Sequence, residues 1–110
     1  MGRSIPVKLS NGRFWPNKKD AKAYFRELLS RYDVYDRVNN IDDISDLTSI
    51  LTVYDENLPV TQSKIGVGIA YFEKRPDQEH SGSSACFYVI RIDGTSVDFS
   101  IYKALDAAAK

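Results

Sequence analysis

The chain has 110 residues, which is enough for one domain and too few for a second hydrophobic core. Hydrophobic residues make up 43% of the chain and charged residues 27%, the composition of an ordinary globular domain. The 15 Lys and Arg residues are balanced by 15 Asp and Glu residues, and this formal net charge of +0 excludes a polybasic protein whose whole surface attracts phosphate. Residues 1–110 are therefore expected to form a single domain, which can still sort its charges onto separate faces.

The chain opens with a predicted hairpin. Residues 7–10 alternate between apolar and polar side chains, Asn11-Gly12 supplies a two-residue turn, and Phe14-Trp15 resumes an extended run. Asn-Gly favours a type I′ turn because both central residues of that turn need positive φ. Pro16 then ends the second strand.

A first helix is predicted from its N-cap, Asn17, to about Tyr32. Asp20 stands three residues after Asn17, which is the spacing of a capping box. At about 100° per residue, one broad arc of this helix is apolar and consists of Ala21, Tyr24, Phe25, Leu28, Leu29 and Tyr32. A basic stripe lies beside the arc and consists of Lys18, Lys19, Lys22 and Arg26.

A second helix is predicted from its N-cap, Asn40, to Tyr54. Its first turns are acidic, and negative charge at this end of a helix complements the helix dipole. The acidic residues are Asp42, Asp43 and Asp46. The apolar stripe of this helix consists of Ile44, Leu47, Leu51 and Tyr54.

A period of two replaces the helical pattern over residues 64–74, which predicts a strand. In a regular strand, Gly66, Gly68 and Ala70 share one face and leave a shallow trough that a helix can approach closely. A polar loop follows over residues 76–84.

Residues 85–101 form the clearest hairpin of the sequence, with its turn at Asp93-Gly94. On the predicted core side, a two-residue turn pairs Ile92 with Thr95, Ile90 with Val97, and Tyr88 with Phe99. On the other side, Arg91 is diagonal to Asp98 and within reach of an ion pair. Residues 102–110 finish the chain as a short helix.

This order of elements predicts an α+β fold. Its antiparallel sheet consists of the N-terminal hairpin and the three C-terminal strands. Two main helices pack on one face of the sheet, using the glycine trough, and a short C-terminal helix follows.

Two motifs in the second half of the chain are distinctive. They are Lys64-Ile65-Gly66-Val67-Gly68-Ile69, and Arg91-Ile92-Asp93-Gly94 followed by Asp98-Phe99-Ser100. Together with Phe14, Lys18–Ala21 and Tyr24-Phe25, they resemble the signatures of the "defective chloroplasts and leaves" domain family, over about residues 9–105. Tyr54-Asp55 stands where that family has His-Pro, so any role of the family's histidine does not carry over.

The resemblance implies a context of RNA or transcription machinery rather than a chemistry. Plant members are linked to plastid ribosomal RNA maturation, related domains lie on the tails of plant RNA polymerase largest subunits, and small stand-alone forms occur in bacteria and phages. No catalytic activity is established for the family. Because no transit peptide precedes the domain, we expect a bacterial or phage protein in the cytoplasm. The residues of the structural motif are Gly66, Gly68, Asp93, Gly94, Asp98 and Phe99.

The candidate ligands for nucleic acid are cations. Clustered cations bind phosphate without reading sequence, so their spacing is weakly specific, and the alternative is a solvated helix face. The candidates are Lys18, Lys19, Lys22, Arg26, Lys64, Arg91 and Lys103. Phe87, Tyr102 or Trp15 could stack bases if exposed, whereas each of them fills a core if buried.

No motif in the sequence predicts catalysis or a bound metal. Cys86 faces the predicted core and cannot form an internal disulfide, and with His80 it cannot fill a four-ligand zinc site. Asp93 and Asp98 beside Arg91 allow a Mg²⁺ or acid–base role, but turn chemistry and ion pairing explain both carboxylates. We expect no catalytic residue, no metal, no other cofactor and no membrane span.

The leading hypothesis is a non-enzymatic domain that binds RNA or single-stranded nucleic acid and acts with transcription or rRNA-maturation machinery. The alternative is a protein-interaction adaptor, or a phage-encoded inhibitor that docks on a host enzyme. The lack of net positive charge favours this alternative. A nuclease ranks third.

Overall fold

The structure is a computed structural model that describes residues 6–76 and 85–108. In chain order its elements are β1 (Val7–Lys8), β2 (Phe14–Trp15), α1 (Lys18–Ser30), α2 (Ile41–Glu56), a 3₁₀ turn (Val60–Gln62), β3 (Ile69–Pro76), β4 (Ala85–Arg91), β5 (Ser96–Phe99) and α3 (Ile101–Ala108). β1 and β2 pair as an antiparallel hairpin, and β3, β4 and β5 form a second antiparallel sheet in that order. The predicted α+β fold is confirmed. The prediction that the N-terminal hairpin and the three C-terminal strands share one antiparallel sheet is wrong, because β1 and β2 form a two-stranded sheet of their own. Residues 77–84, which include His80, and residues 109–110 of the predicted last helix lie outside the described residues.

Both main helices begin where the sequence predicts. The Oδ1 atom of Asn17 accepts a hydrogen bond from the amide of Asp20 at 2.8 Å. The Oδ1 atom of Asn40 accepts from the amides of Asp42 at 2.9 Å and Asp43 at 3.1 Å. These bonds satisfy amides that have no partner within the first turn of a helix, so both predicted N-caps are confirmed.

One face of the sheet formed by β3, β4 and β5 is buried against the helices. The completely buried side chains on this face are Phe72, Phe87, Val89 and Phe99. They share a hydrophobic cluster with Phe25 and Leu28 of α1, Leu47, Ile50 and Leu51 of α2, and Leu105 of α3. Lys74 lies on the same face, and its Nζ donates to the carbonyl oxygens of Leu29 at 3.0 Å and Tyr32 at 2.7 Å. β3 thereby holds the C-terminal end of α1 over the sheet.

The connection between α1 and α2 covers the edge of β3 that β4 leaves open. The Val38 amide donates to the Phe72 carbonyl at 2.9 Å, and the Lys74 amide donates to the Asp36 carbonyl at 3.1 Å. Val38 itself is buried in the core. Because these backbone groups are already paired, this edge of the sheet is not a template for another strand.

Both hairpin turns contain three residues, one more than predicted. In the first turn, the Leu9 amide donates to the Arg13 carbonyl at 2.9 Å, and the Gly12 amide donates to the Leu9 carbonyl at 3.1 Å. Gly12 has a φ of +93°, whereas Asn11 does not have a positive φ. The Oδ1 atom of Asn11 instead accepts the Arg13 amide at 3.1 Å, a local hydrogen bond that Asn commonly makes in turns.

The second turn repeats this geometry at Ile92-Asp93-Gly94. The Arg91 amide donates to the Thr95 carbonyl at 2.8 Å, and the Gly94 amide donates to the Arg91 carbonyl at 2.9 Å. Only the glycine has a positive φ, of +88°. A type I turn followed by a left-handed glycine is the usual three-residue hairpin, so the predicted type I′ turns are wrong in both hairpins.

The longer turn shifts the register of the second hairpin by one residue. Phe87 pairs with Phe99 and Val89 with Val97, instead of the predicted pairs of Tyr88 with Phe99 and Ile90 with Val97. A shift of one residue exchanges the two faces of a strand, so the predicted core side of this hairpin is wrong. Phe87 and Val89 are buried, whereas Ile92 is 65% exposed.

The same shift overturns two further predictions. Arg91 shares the alternation of Phe87 and lies on the face toward the helices, whereas Asp98 lies on the opposite face. The predicted ion pair between Arg91 and Asp98 is therefore wrong. Cys86 also lies on the face opposite Phe87, contrary to its predicted place in the core, and is half-buried.

β3 begins at Ile69, later than the start of the strand predicted for residues 64–74. Gly66 and Gly68 have φ values of +55° and +131°, which are outside the extended region. Both glycines therefore belong to a loop, and the predicted glycine trough is wrong. The helices do cover the face that carries Phe72, to which regular alternation from Gly66 and Gly68 also assigns this residue.

The carboxylate of Asp46 on α2 is buried beside α1. Asp46 is 1% exposed, and it accepts hydrogen bonds from the Tyr24 hydroxyl and from Nε of Arg13 at 3.0 Å. Nδ2 of Asn11 donates a third bond at 2.8 Å. A buried carboxylate is costly unless it is paired and hydrogen-bonded, so these partners fix α2 against α1 and the first hairpin.

Asp43 makes a second connection of the same kind. It is 3% exposed, and it accepts from Nη1 of Arg31 at 2.9 Å and from the Tyr32 hydroxyl at 2.7 Å. The helix dipole is a sufficient reason for the exposed Asp42 in this acidic run. The buried Asp43 and Asp46 have a further role, because they join α2 to the C-terminal and central parts of α1.

We expect Tyr24→Phe to lower the free energy of unfolding by about 1–3 kcal/mol near neutral pH, because the buried Asp46 loses a hydrogen-bond donor. Urea unfolding followed by circular dichroism measures this change. Tyr54→Phe is the matched control, since the Tyr54 hydroxyl donates no hydrogen bond within residues 6–76 and 85–108 that would be lost. Equal stabilities of the two variants would contradict the role of the Tyr24–Asp46 bond.

Tyr24→Phe also tests how the free energy of unfolding depends on pH. Desolvation, followed by the hydrogen bond to Asp46, raises the pKa of Tyr24 to about 12. The folded protein therefore holds this proton more tightly than the unfolded chain, whose tyrosines titrate at about pH 10. The stabilisation is complete below that pH and is lost as the pH rises toward 12. The advantage of wild type over Tyr24→Phe should narrow across this window, and a constant difference would contradict the account.

Candidate functional site

A groove of about 440 Å³ lies between α1, the paired ends of β4 and β5, and the first turn of α3. Its apolar lining includes Phe25, Leu29, Phe87, Phe99 and Ile101. Its polar lining includes Lys22, Arg26, Tyr102 and Lys103. The groove thus brings part of the basic stripe on α1 together with a cation and an aromatic residue from α3.

Two cations of the groove come from successive turns of α1. Lys22 and Arg26 are four residues apart, so they lie on the same side of the helix. Phe25, next to Arg26 in the chain, is buried in the core, which holds this part of α1 in one orientation. Arg26 is exposed and Lys22 is half-buried at the groove.

The other polar groups of the groove come from the start of α3. β5 and α3 are separated by Ser100 alone. Ser is a favoured N-cap residue, and the Oγ atom of Ser100 accepts a hydrogen bond from the Lys103 amide at 3.4 Å. Because no longer loop intervenes, the first turn of α3 places Tyr102 and Lys103 at the end of the sheet, beside α1.

Tyr102 is in contact with both of these α1 cations. Nη2 of Arg26 donates a hydrogen bond to the Tyr102 hydroxyl at 3.0 Å, although 76 positions separate the two residues in the sequence. Nζ of Lys22 lies 5.4 Å from the centroid of the Tyr102 ring, within the range of a cation–π contact. Tyr102 is still 46% exposed. An exposed ring beside cations is the combination with which single-strand-binding proteins stack bases and hold phosphates.

The two remaining cations of the predicted stripe differ from each other. Nζ of Lys18 forms an ion pair with Oδ1 of Asp106 at 2.7 Å, which joins α1 to α3 at the surface and offsets the charge of Lys18. Lys19 is exposed. We define the basic face as the side chains of Lys19, Lys22, Arg26, Tyr102 and Lys103.

Arg91 and the backbone of Lys64 make their contacts at a different place, which we name the loop clasp and define as Asp55, residues 63–66 and Arg91. Nζ of Lys64 reaches further, to the carbonyl of the groove-lining Asp98. The guanidinium of Arg91 donates from Nε to the Lys64 carbonyl at 2.9 Å and from Nη2 to the Ser63 carbonyl at 3.3 Å. A Cβ at Gly66 would lie 3.0 Å from Nε of Arg91, so the glycine permits this close approach. Arg91 therefore binds the loop to the second hairpin.

Asp55 holds the same loop from α2. Its carboxylate accepts hydrogen bonds from the Ser63 hydroxyl at 2.6 Å and from the Lys64 amide at 2.6 Å. Nζ of Lys64 in turn donates to the Asp98 carbonyl at 3.0 Å. The sequence analysis does not identify Asp55 as a site residue. The one feature of the sequence that points to Asp55 is that Tyr54-Asp55 replaces the His-Pro of the "defective chloroplasts and leaves" family.

The second signature motif lies in the turn and in the core. Gly94 supplies the left-handed residue of the turn, and Phe99 is buried. Hydrogen bonds from the hydroxyl and the amide of Thr95 lower the pKa of Asp93, so this carboxylate has a partner within the turn. Gly68 accepts the Ile92 amide at 3.1 Å. These contacts give the motif a role in positioning the turn.

The three aromatic candidates for base stacking differ in their exposure to solvent. Phe87 is completely buried, so it fills the core and is not available to stack on a base. Trp15 is half-buried, with its ring centroid 5.2 Å from that of Tyr24 and 5.6 Å from that of Phe25. Tyr102 is exposed and lies at the groove. Of the three, Tyr102 has the geometry that base stacking requires.

Over residues 6–76 and 85–108, no three His, Cys, Asp or Glu side chains are grouped so that they could hold a metal ion. In the same part of the chain, no helix has the length and apolar composition needed to cross a membrane.

The chain is similar to a protein family, to a region of a larger protein and to a solved structure. Residues 26–105 match a family described as "Protein of unknown function (DUF3223)". The chain is 30% identical over 110 residues to DNA-directed RNA polymerase IV subunit 1 of Arabidopsis thaliana, a match that covers 99% of this chain and 7% of that subunit. It is also similar to the solution NMR structure of an uncharacterized protein from Rhodospirillum rubrum, with 31% identity, a TM-score of 0.74, and coverage of 94% of this chain and 91% of that one.

We expect Arg91→Lys to lower the free energy of unfolding by about 1–3 kcal/mol, because lysine keeps the charge but cannot reproduce the two bonds to the Ser63 and Lys64 carbonyls. Urea unfolding followed by circular dichroism measures the loss. A variant with the stability of wild type would contradict the role of Arg91 in holding residues 63–66 against the second hairpin.

Proposed function

Because this chain belongs to the family described as "Protein of unknown function (DUF3223)", whose description assigns no activity, we propose its function from the geometry of the basic face: the domain binds single-stranded RNA without catalysing a reaction. The observation that carries this proposal is the contact of Tyr102 with Lys22 and Arg26. An aromatic ring that is open to solvent can stack on an unpaired base, while the cations beside it attract the phosphates of the same strand.

The chemistry of the basic face favours a single strand over a duplex. The bases of a duplex are stacked on one another, so their faces are not available to Tyr102. The basic face supplies few cations, and Lys18 is already paired with Asp106. An affinity that depends on few phosphate contacts has a shallow salt dependence, of about −0.7 in the logarithmic slope for each phosphate contacted on a single strand.

A setting in transcription or rRNA maturation is the second part of the proposal. The similarity to a region of DNA-directed RNA polymerase IV subunit 1 supports association with transcription machinery. The resemblance to the "defective chloroplasts and leaves" family, whose plant members are linked to plastid rRNA maturation, supports an RNA ligand. The chain spans 7% of the polymerase subunit, so the activity of that subunit is not part of the proposal.

A protein-interaction adaptor, including a phage-encoded inhibitor of a host enzyme, is the second candidate. Val67 and Ile92 are 61% and 65% exposed beside the loop clasp, and exposed aliphatic side chains are typical of contacts with another protein. The net charge of +0 also favours this candidate. Capture of partners from a host lysate with and without nuclease separates the candidates: partners that persist after nuclease treatment, in a protein that does not bind RNA, would favour the adaptor.

We expect the double variant Lys22→Gln/Lys103→Gln to bind single-stranded RNA more weakly and with a smaller salt dependence. Two lost phosphate contacts should reduce the logarithmic salt slope by about 1.4. Fluorescence anisotropy of a labelled RNA, recorded over a series of salt concentrations, measures both quantities.

The control for this variant is Lys8→Gln/Arg37→Gln, which removes the same charge from exposed positions outside the basic face. This control should keep the wild-type slope. Equal slopes for the two double variants would contradict the assignment of the basic face. Failure of the wild-type protein to bind single-stranded RNA at about 50 mM salt, the most permissive condition, would contradict the proposed function itself.

A further inference from the structure

The groove beside the basic face has two chemically different sides. Leu29 and Ile101 contribute apolar lining, whereas Lys22, Arg26 and Lys103 contribute three positive charges against the single negative charge of Asp98 in the same lining. The volume of about 440 Å³ lies within the range of about 300–1,000 Å³ that is typical of small-molecule sites. The groove is therefore large enough for one aromatic ring system and its polar attachments.

A nucleotide has the same two sides. Its base presents flat faces that are favourably buried against apolar groups, and its phosphate carries the negative charge that cations attract. We propose that the groove accepts one unstacked nucleobase of the bound strand while Lys22, Arg26 and Lys103 hold the adjacent phosphates. This inference rests on the proposed function and adds to it a site that recognises the base rather than the charge of the backbone.

The position of Tyr102 supports this occupant. Its hydroxyl is bonded to Arg26 of α1, so the ring is held at the border of the groove rather than free to rotate away. A base that enters the groove passes this ring, which can stack on it or on the neighbouring base. The cations at the same border complement the phosphates on either side of that base. An uncharged apolar peptide would offer these cations no negative charge.

Base insertion also makes a prediction about strandedness. A base in a duplex must be unstacked and unpaired before it enters a pocket, at a cost that single strands do not have. The groove should therefore select RNA that is already single-stranded, independently of the number of phosphates that the basic face contacts.

The test compares two RNAs of equal charge with the wild-type protein. One is a labelled single-stranded RNA of about ten nucleotides, a length in the range of single-strand binding sites. The other is the same strand with abasic ribose at each internal position. Both are titrated by fluorescence anisotropy over a series of salt concentrations. We expect the abasic strand to bind about 5- to 150-fold more weakly, as the loss of base stacking predicts, with the same salt slope.

A protein variant locates the effect in the groove. Ala85 lines the groove, and Ala85→Leu reduces its volume without changing any charge. This variant should bind the normal RNA about as weakly as wild type binds the abasic strand, and it should bind the abasic strand as wild type does. Ala70→Leu, at an exposed position of β3 outside the groove, is the matched control and should behave as wild type.

The outcomes separate this inference from the proposed function. Equal binding of the normal and abasic strands by wild type would overturn base insertion while leaving phosphate-dependent RNA binding in place. No binding of either strand at about 50 mM salt would overturn both. Weaker binding of the abasic strand together with unaltered binding by a folded Ala85→Leu variant would show that the base is recognised outside the groove, and would overturn base insertion. The comparison of the two RNAs uses wild type alone, so equal binding of the two strands would overturn base insertion even if Ala85→Leu does not fold.

Discussion

The burial of Asp46 between α2 and α1 is the interaction on which the rest of the structure depends. Its carboxylate is bonded to the Tyr24 hydroxyl, so Tyr24 must face α2. At 3.6 residues per turn, positions 22 and 26 each lie about 160° around the helix from position 24. Lys22 and Arg26 are therefore turned to the side of α1 that is away from α2. That side meets the first turn of α3 and forms the groove.

The signature residues and the groove residues do different things in this fold. The loop clasp uses Arg91, Asp55 and the backbone of residues 63–66 to fasten a loop to the second hairpin. The basic face uses side chains of α1 and α3 that are open to solvent. A motif that stands out in a sequence can therefore mark the part of a domain that holds its shape. The basic face, which we propose as the RNA-binding surface, consists of residues that are individually ordinary.

The accuracy of the sequence-based predictions follows the range of the interactions involved. The N-caps at Asn17 and Asn40 depend on residues three positions apart, and the apolar arc of α1 depends on helical period alone, so these features were predicted correctly. The hairpin registers were predicted incorrectly, because Asn-Gly and Asp-Gly suit both a two-residue and a three-residue turn. The contact of Arg26 with Tyr102 could not be predicted from the sequence, because it depends on how α3 packs against α1.

The most direct test of this account is a titration of isotope-labelled protein with single-stranded RNA, followed by amide chemical shifts in NMR spectra at low salt. We predict that the largest shift changes occur at Lys22, Arg26, Tyr102 and Lys103. The amides of Lys64, Gly66 and Arg91 in the loop clasp should change little. Shift changes concentrated at the loop clasp, or no change at any amide in excess RNA, would contradict the assignment of the basic face as the RNA-binding surface.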